Sequence, residues 1–503
     1  PDNDGGYAVE DFDQVDPTLG TNEDLKNLTA AMRREGMSLC LDFVINHTAD
    51  THPWAIRAKA GEQAYIDRYI CYDTPDIPRQ LEETIPDVFP ETAPGSFLYE
   101  PNMKKYVCSS FHPYQWDLNY RNPVVFREMM RSMLGLCNLG VEVLRIDAVP
   151  YLWKQVGTTC RNLPKVHTIM RMVRLITEIV CPGVILKGEV VMAPWELRPY
   201  FGTAEKPECH LLYNATTMAT QWSALASGDV RQLKRQLDDI HSLPDHCYFV
   251  NYLRCHDDIG WGLNEEYGKS IGIDPVLHKK YLYEFFEGSF PGSFARGERY
   301  NYNPQTQDAR TCGTTASLCG VEQGVSAGDE GLLQLGIRRD LMMHAAMMAM
   351  EGFPMLSSGD EIGQLNGYDY HKDPNLAEDS RNVHRTPFNW GNAQLRNQPG
   401  TIQNRIWTGL RQMEQLRAKQ PCFGQSATVS TWDTHNRHVL SLVRRCGNDV
   451  LVCMFNFTGD TQSITMDALE GSFTDLLTGE TGPCSARDLP PYAYAFCLRQ
   501  GNP

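Results

Sequence analysis

Asn122-Pro-Val-Val-Phe-Arg-Glu-Met-Met-Arg-Ser-Met-Leu-Gly-Leu-Cys-Asn-Leu-Gly140, followed at once by Val141-Glu-Val-Leu-Arg-Ile-Asp147, holds the reading on which the fold turns. Asn122 can cap a helix whose first residue is Pro123, where the missing N–H costs nothing. Phe126, Met130, Met133 and Cys137 fall three and four apart, so they share one helical face. Gly140 stops the helix, and the apolar run after it is too short for a helix and fits a buried strand. That strand ends on a charged pair, Arg145 and Asp147.

The same rhythm recurs on both sides. Thr21 or Asn22 caps a predicted helix carrying Leu25, Leu28 and Met32, closed by Gly36 and followed by a strand over 38–45. A helix over about 164–180 stops at Pro182-Gly183, before the strand Val184-Ile-Leu-Lys187. Another over about 341–350 reaches Gly352, before the strand Phe353-Pro-Met-Leu356. Residues 210–213 and 248–253 are further strand candidates. Helices alternating with short, nearly continuous apolar strands predict a parallel α/β sheet. From about Lys419 the pattern changes to runs such as Val439-Leu-Ser-Leu-Val443, which predict a small antiparallel β module. Two stretches rich in Gly, Pro and Tyr, 50–118 and 262–327, break the rhythm and read as insertions with short helices at most. The expected organisation is therefore barrel (1–49), insertion (50–118), barrel (119–261), second insertion (262–327), barrel (328–418) and C-terminal β domain (419–503).

Composition narrows the function. With 46 Lys plus Arg against 62 Asp plus Glu, the net charge of −16 makes a grip on nucleic-acid phosphates or anionic lipid a poor expectation. No run is long and apolar enough to span a bilayer. The 16 cysteines form no C-x-x-C pair and several lie in apolar runs, so they read as reduced core thiols and favour a cytoplasmic protein. The chain opens on Pro1, which leaves a removed leader open. There is no Walker loop, no strand-borne G-x-G-x-x-G and no H-E-x-x-H, and hence no call for a nucleotide or metal cofactor.

Polar residues crowd after the predicted strands: His47; Arg145 and Asp147; Glu189; His256, Asp257 and Asp258. In a barrel of parallel strands these ends converge on one mouth. Arg145 and Asp147 lie two apart on a strand and so share a face. A guanidinium there keeps the carboxylate ionised, as a nucleophile requires, although a structural ion pair gives the same pattern. Glu189 follows an apolar strand, where partial burial suits a general acid, although surface glutamates are common at strand ends. Asp257 is a third carboxylate or a helix cap, and His47 and His256 are hydroxyl donors or structural histidines. Three carboxylates, an arginine and two histidines without a cofactor motif point to glycoside chemistry.

Asp42-Phe-Val-Ile-Asn-His47, Leu144-Arg-Ile-Asp147, Gly188-Glu189 and His256-Asp257 resemble, in order, the four signature regions of the α-amylase superfamily, glycoside hydrolase family 13. Further stretches resemble its amylosucrase branch over essentially the whole chain: Asp4-Gly-Gly-Tyr7, Phe111 to Gln115-Trp-Asp-Leu-Asn-Tyr120, His256-Asp-Asp-Ile-Gly-Trp261, Gly292-Ser-Phe-Ala-Arg-Gly297 and Asp379-Ser-Arg381. The resemblance implies a (β/α)8 TIM-type barrel, lacking here its first two strand-helix units, with two loop insertions and a C-terminal antiparallel β domain. It implies Asp147 as nucleophile, Glu189 as acid/base and Asp257 as transition-state stabiliser. His47, Arg145 and His256 would bind a glucosyl ring, Tyr7 would stack under it, and Asp4 would pair with Arg381 at the pocket bottom. Phe111 and Gln115 carry over as substrate contacts, and Asp258 and Arg310 as contacts to a fructosyl unit. The implied reaction takes a glucosyl unit from sucrose to an α-1,4-glucan acceptor, with no cofactor. Sucrose hydrolysis or another transglucosylation is the alternative, and an inactive barrel serving as a binding subunit a distant one. Pro86 stands where amylosucrases often have an arginine, which puts product length in question.

Overall fold

A computed structural model describes residues 3–192, 194–240, 243–244 and 246–501, the side chains of Asn3 and Pro194 excepted. The chain forms two compact units. The first runs to Val191 and takes in Trp195–Tyr213; the second takes in residues 214–240 and 248–501.

The first unit is built on parallel strands β1 (Cys40–Val44), β2 (Val143–Asp147), β3 (Ile185–Gly188) and β4 (Leu211–Tyr213), hydrogen-bonded in that order. Helix α1 (Asn22–Arg34) precedes β1, α2 (Pro123–Asn138) precedes β2 and α3 (Pro164–Val180) precedes β3. The caps are those the sequence calls for. Thr21 and Asp24 close a reciprocal capping box on α1, and Asn122 accepts the Val124 N–H at the start of α2. Gly140 takes φ +94°, and a Cβ there would lie 2.4 Å from Thr29 Oγ1, so the turn from α2 into β2 requires glycine.

Residues 50–118 carry more sheet than their composition predicts. Cys71–Tyr72, Lys105–Cys108 and Phe97–Glu100 form a small antiparallel sheet, and His47–Ala49 pairs with Gln115–Asp117. These strands are two to four residues long, too short to display a period. A buried ion pair fixes this region: Lys154 Nζ lies 2.7 Å from Asp117 Oδ2, with side chains 3% and 1% exposed. Ser110 donates its backbone N–H and its hydroxyl to the same carboxylate, at 2.9 and 2.6 Å. Burial opposes ionisation of Asp117, but Lys154 and Ser110 outweigh it and hold the carboxyl below its ordinary pKa.

In the second unit β5 (Tyr248–Tyr252) pairs in parallel with β6 (Phe353–Met355). Helix α5 (Glu330–Ala349), which comes after α4 (Ala215–Ser227), is twice as long as the predicted 341–350. Asp329 caps it; residues 342–349 are buried on every side, while in the first half Gly336, Ile337 and Arg339 are buried and Glu330, Gly331 and Arg338 are exposed. Residues 262–327 overturn the expectation of short helices at most. They hold a 13-residue helix, Pro275–Glu287, with Asp274 as N-cap and Gly288 as left-handed C-cap, and a hairpin of Glu298–Asn303 with Asp308–Cys312. The C-terminal strands are β7 (Thr428–Trp432), β8 (Val439–Cys446), β9 (Asp449–Asn456), β10 (Ser472–Asp475), β11 (Thr481–Pro483) and β12 (Tyr494–Arg499). They form an antiparallel sheet in the order β7-β8-β9-β12-β10-β11 around a core of Val443, Val452, Met454 and Phe473.

Replacing Lys154 leaves Asp117 buried without its counter-charge. Lys154→Met is expected to lower the unfolding free energy by about 3–5 kcal/mol. The double variant with Asp117→Leu is expected to recover part of that loss in the same denaturant titration.

Candidate active site

In the first unit the site residues lie in cross-strand rows. Asp42 on β1 is the register partner of Arg145 on β2, and Arg145 is the partner of Lys187 on β3. One row therefore runs carboxylate, guanidinium, ammonium across neighbouring strands. Arg145 Nη1 lies 2.5 Å from Asp42 Oδ1 and 2.8 Å from Asp147 Oδ1, with its side chain 5% exposed. It also donates to the Tyr7 hydroxyl at 3.2 Å, and that hydroxyl donates to Asp42 Oδ1 at 3.0 Å. The guanidinium sits 5.3 Å from the Tyr7 ring centroid and 5.6 Å from that of Tyr213, while Lys187 Nζ lies 4.7 Å over Tyr213. Burial works against the Arg145 charge, but Asp147, Tyr7 and Asp42 outweigh it and raise its pKa above the ordinary arginine value.

Glu189 sits just past β3 and is half-buried. Its N–H donates to the Ile146 carbonyl at 2.8 Å, continuing the parallel ladder. Its Oε2 accepts the Ala148 N–H at 3.1 Å. Ala148, next to Asp147, has φ +52° and ψ +35°, a left-handed conformation that costs a residue with a Cβ about 1 kcal/mol. That turn ends β2 and aims its N–H at the glutamate. Strain of this kind gathers at functional positions.

His47 is buried, and protein atoms meet both ring nitrogens. Nε2–H donates to the Tyr7 carbonyl at 3.1 Å, and Asn46 Nδ2 donates to Nδ1 at 3.3 Å, which sets the neutral tautomer. Burial is the main reason its pKa is lowered, against the pull of Asp117 and Asp4. Its ring packs 5.3 Å from Phe111. Gln115 donates from Nε2 to Asp4 Oδ2 at 3.1 Å, tying the loop that carries Tyr7 to the strand after Phe111.

The second unit gathers the remaining predicted residues into two groups. His256 Nε2 lies 3.2 Å from Asp257 Oδ2. Asp257 Oδ1 is 3.6 Å from Arg381 and 3.4 Å from Arg385. Asp379 grips Arg381 bidentately, Nε to Oδ1 at 2.9 Å and Nη2 to Oδ2 at 2.7 Å. The next helix, Glu265–Ser270, is capped by Asn264, so Asp257 is not a helix cap. The other group is Asp258 with Arg310, 3.4 Å apart; Arg310 is the hairpin partner of Tyr300. Among the described residues one trio of metal-capable side chains converges, Cys255, His256 and Asp257, with ligand atoms within 4.8 Å. Arg381 and Arg385 crowd the same carboxylate and disfavour a cation there.

Sequence reasoning missed Asp42, Lys187, His384 and Arg385 as members of these groups. Asp42 and Lys187 were findable, since both stand in register with Arg145 once the strands are aligned. His384 and Arg385 carry no local signal: they share a backbone carbonyl, that of His256, which accepts from Arg385 Nε at 2.8 Å and His384 Nε2 at 3.1 Å.

Neighbouring parallel strand ends that carry an arginine-braced aspartate and a half-buried glutamate are the equipment of a glycoside-processing enzyme. The family model for the alpha amylase catalytic domain matches residues 1–260, and the chain belongs to the α-amylase family, glycoside hydrolase family 13, with its barrel-type catalytic fold and C-terminal antiparallel β domain. It is similar to a trehalose synthase of Pimelobacter sp. (strain R48), 25% identical over 503 residues, covering 93% of this chain and 80% of that protein. A glucosylglycerate phosphorylase of Spirochaeta thermophila is 31% identical over 261 residues, 51% of this chain and 42% of that protein. Among solved structures, the trehalulose synthase MutB from Pseudomonas mesoacidophila MX-45 superposes with a TM-score of 0.71 at 17% identity, over 99% of this chain and 90% of that one. No described helix is long and apolar enough to cross a membrane.

His384 supplies a pH-dependent prediction. Its Nδ1 accepts the Gly313 N–H at 3.1 Å, so the ring must stay neutral. Burial, aided by Arg254, lowers its pKa to about 3. The unfolded chain takes up that proton near pH 6.5 and the folded chain does not until about pH 3, so acidification favours unfolding. Stability is expected to fall as pH drops from about 6.5 towards 3. In His384→Gln, whose amide can make both contacts, thermal unfolding is expected to depend less on pH across that window.

Proposed function

We propose that the protein is a retaining glucosyltransferase of the amylosucrase type, with sucrose as donor and the end of an α-1,4-glucan as acceptor. The observation that carries the chemistry is the Ala148 N–H bond to Glu189, which puts the glutamate carboxyl beside the residue following Asp147. The two carboxyl groups thus stand on adjacent strand ends, as a double-displacement mechanism needs.

Asp147 attacks the anomeric carbon of the glucosyl unit. The Arg145 contact at 2.8 Å favours its ionised, nucleophilic form. Glu189 gives its proton to the leaving fructosyl oxygen, then takes a proton back from the incoming 4-hydroxyl as the glucosyl-enzyme is resolved. Inversion at each step yields net retention. Asp257 is assigned to transition-state stabilisation by its place in His256-Asp257, and His47, Arg145 and His256 to the glucosyl ring. Tyr7 is assigned to stacking under that ring, with Phe111 and Gln115 as further contacts, and Asp4 and Arg381 to the pocket bottom. No cofactor enters, because the glycosidic bond of sucrose carries the driving force.

The choice of sucrose rests on His256-Asp-Asp-Ile-Gly-Trp261 and on the Asp258–Arg310 pair, a carboxylate and a guanidinium that can divide the hydroxyls of a fructosyl unit. The curated relatives are named for handling trehalose and glucosylglycerate, which supports glucosyl transfer as the common step. All sixteen cysteines are free thiols, which supports a place in the reducing cytoplasm.

Glu189→Gln is nearly isosteric and is expected to abolish sucrose turnover while the thermal unfolding midpoint stays within a few degrees of the parent. Undiminished turnover removes Glu189 from the mechanism. Arg310→Ala is expected to reduce kcat/KM for sucrose more than for a glucosyl donor with a synthetic aryl leaving group; equal losses on both donors count against the fructosyl contact.

A further inference from the structure

The first unit contains a cavity of about 550 Å3 that none of the catalytic assignments uses. Its walls come from the helix Gln63–Ile66 and the residues after it, from Cys71 to Asp73, from Asn119 to Arg121 and from Leu152 to Lys154. The volume falls within the range of small-ligand sites, about 300–1,000 Å3.

Three features define what fits. Trp153 supplies an aromatic surface, and Arg121 lies 4.3 Å over the indole, holding it in place before any ligand arrives. Gln63 and Asp67 form an amide–carboxylate pair at 2.7 Å, the chemistry that brackets hydroxyl groups. Most charges in the wall are compensated: Lys105 pairs with Asp73 and Lys154 with Asp117, and the wall carries Asp67 as well as Arg121. An anion would meet those carboxylates, and an apolar ligand would strip water from the polar groups without replacing their hydrogen bonds. A neutral polyhydroxylated ring meets neither penalty, because its C–H face matches the indole and its hydroxyls match the amide and carboxylate.

We propose that this cavity is a second carbohydrate-binding site, separate from the catalytic residues, in which Trp153 receives a pyranose unit and Gln63 with Asp67 hold its hydroxyls. The choice of an α-1,4-glucan among such ligands rests on the transfer reading above. A chain held there would stay with the enzyme between rounds of transfer.

Hydrogen exchange of the full chain with maltoheptaose and no sucrose tests the site. Protection of the peptide covering residues 63–73 is expected, with half-saturation in Trp153→Ala shifted upward by about tenfold or more and in Trp153→Phe by much less. Asp67→Ala, at another residue of the cavity wall, is expected to weaken the same protection, so the test survives if Trp153→Ala fails to fold. Unchanged exchange at 63–73 in saturating maltoheptaose overturns the proposal, and so does equal protection in parent, Trp153→Ala and Asp67→Ala. Because no sucrose is present, the readout is independent of turnover: an enzyme that fails to cleave sucrose can still show this binding, and one that cleaves it can lack it.

Discussion

A guanidinium removed from water has to be neutralised and hydrogen-bonded in place, and Arg145 imposes that requirement on everything around it. Asp42, Asp147 and the Tyr7 hydroxyl all converge on its Nη1. The cation therefore fixes three groups at once: the neighbouring strand through Asp42, the proposed nucleophile through Asp147, and the glycine-rich loop after Asp4 through Tyr7. The Asp42 contact is made only when β1 and β2 pair in their observed register. A one-residue slip would carry Arg145 and Asp147 together to the opposite face and take the guanidinium away from Asp42. Register and reactivity are thus set by the same charge.

That coupling explains why much of the site could be read from the sequence. Arg145 and Asp147 are two apart on a strand whose start is marked by Gly140, and Glu189 ends the next strand-helix unit. Alternation of helices and apolar strands placed β1 to β6 within one or two residues of where they lie. Harder to see was whatever depends on distant partners. Lys154 reads as an ordinary lysine after a tryptophan, and nothing near it in sequence announces that Asp117 will meet it in the interior. His384 shows its role only when folded, because it binds a carbonyl. The helix Pro275–Glu287, by contrast, carried readable signals in Asp274-Pro275 and Gly288, which the Gly, Pro and Tyr content of its surroundings concealed.

The division of labour follows from the chemistry. The first unit carries the proposed nucleophile and acid/base with their brace, the groups that on the proposed mechanism act on the bond to be broken. The second carries Asp257 with its arginines and the Asp258–Arg310 pair. On the proposed mechanism Asp257 steadies the transition state and the Asp258–Arg310 pair holds the leaving fructosyl unit. The names of this chain's relatives differ in the sugar handled: one makes trehalose, and another acts on glucosylglycerate.

The central claim is that a glucosyl unit leaves sucrose and reaches another sugar. Incubation of the protein with sucrose and a short α-1,4-glucan primer, with free fructose and free glucose quantified over time, tests it directly. Fructose released well in excess of glucose, with the missing glucose recovered as α-1,4-linked extension of the primer, is the result the account predicts. Absence of fructose contradicts the choice of donor, and fructose matched one-for-one by free glucose contradicts transfer and makes the protein a sucrose hydrolase.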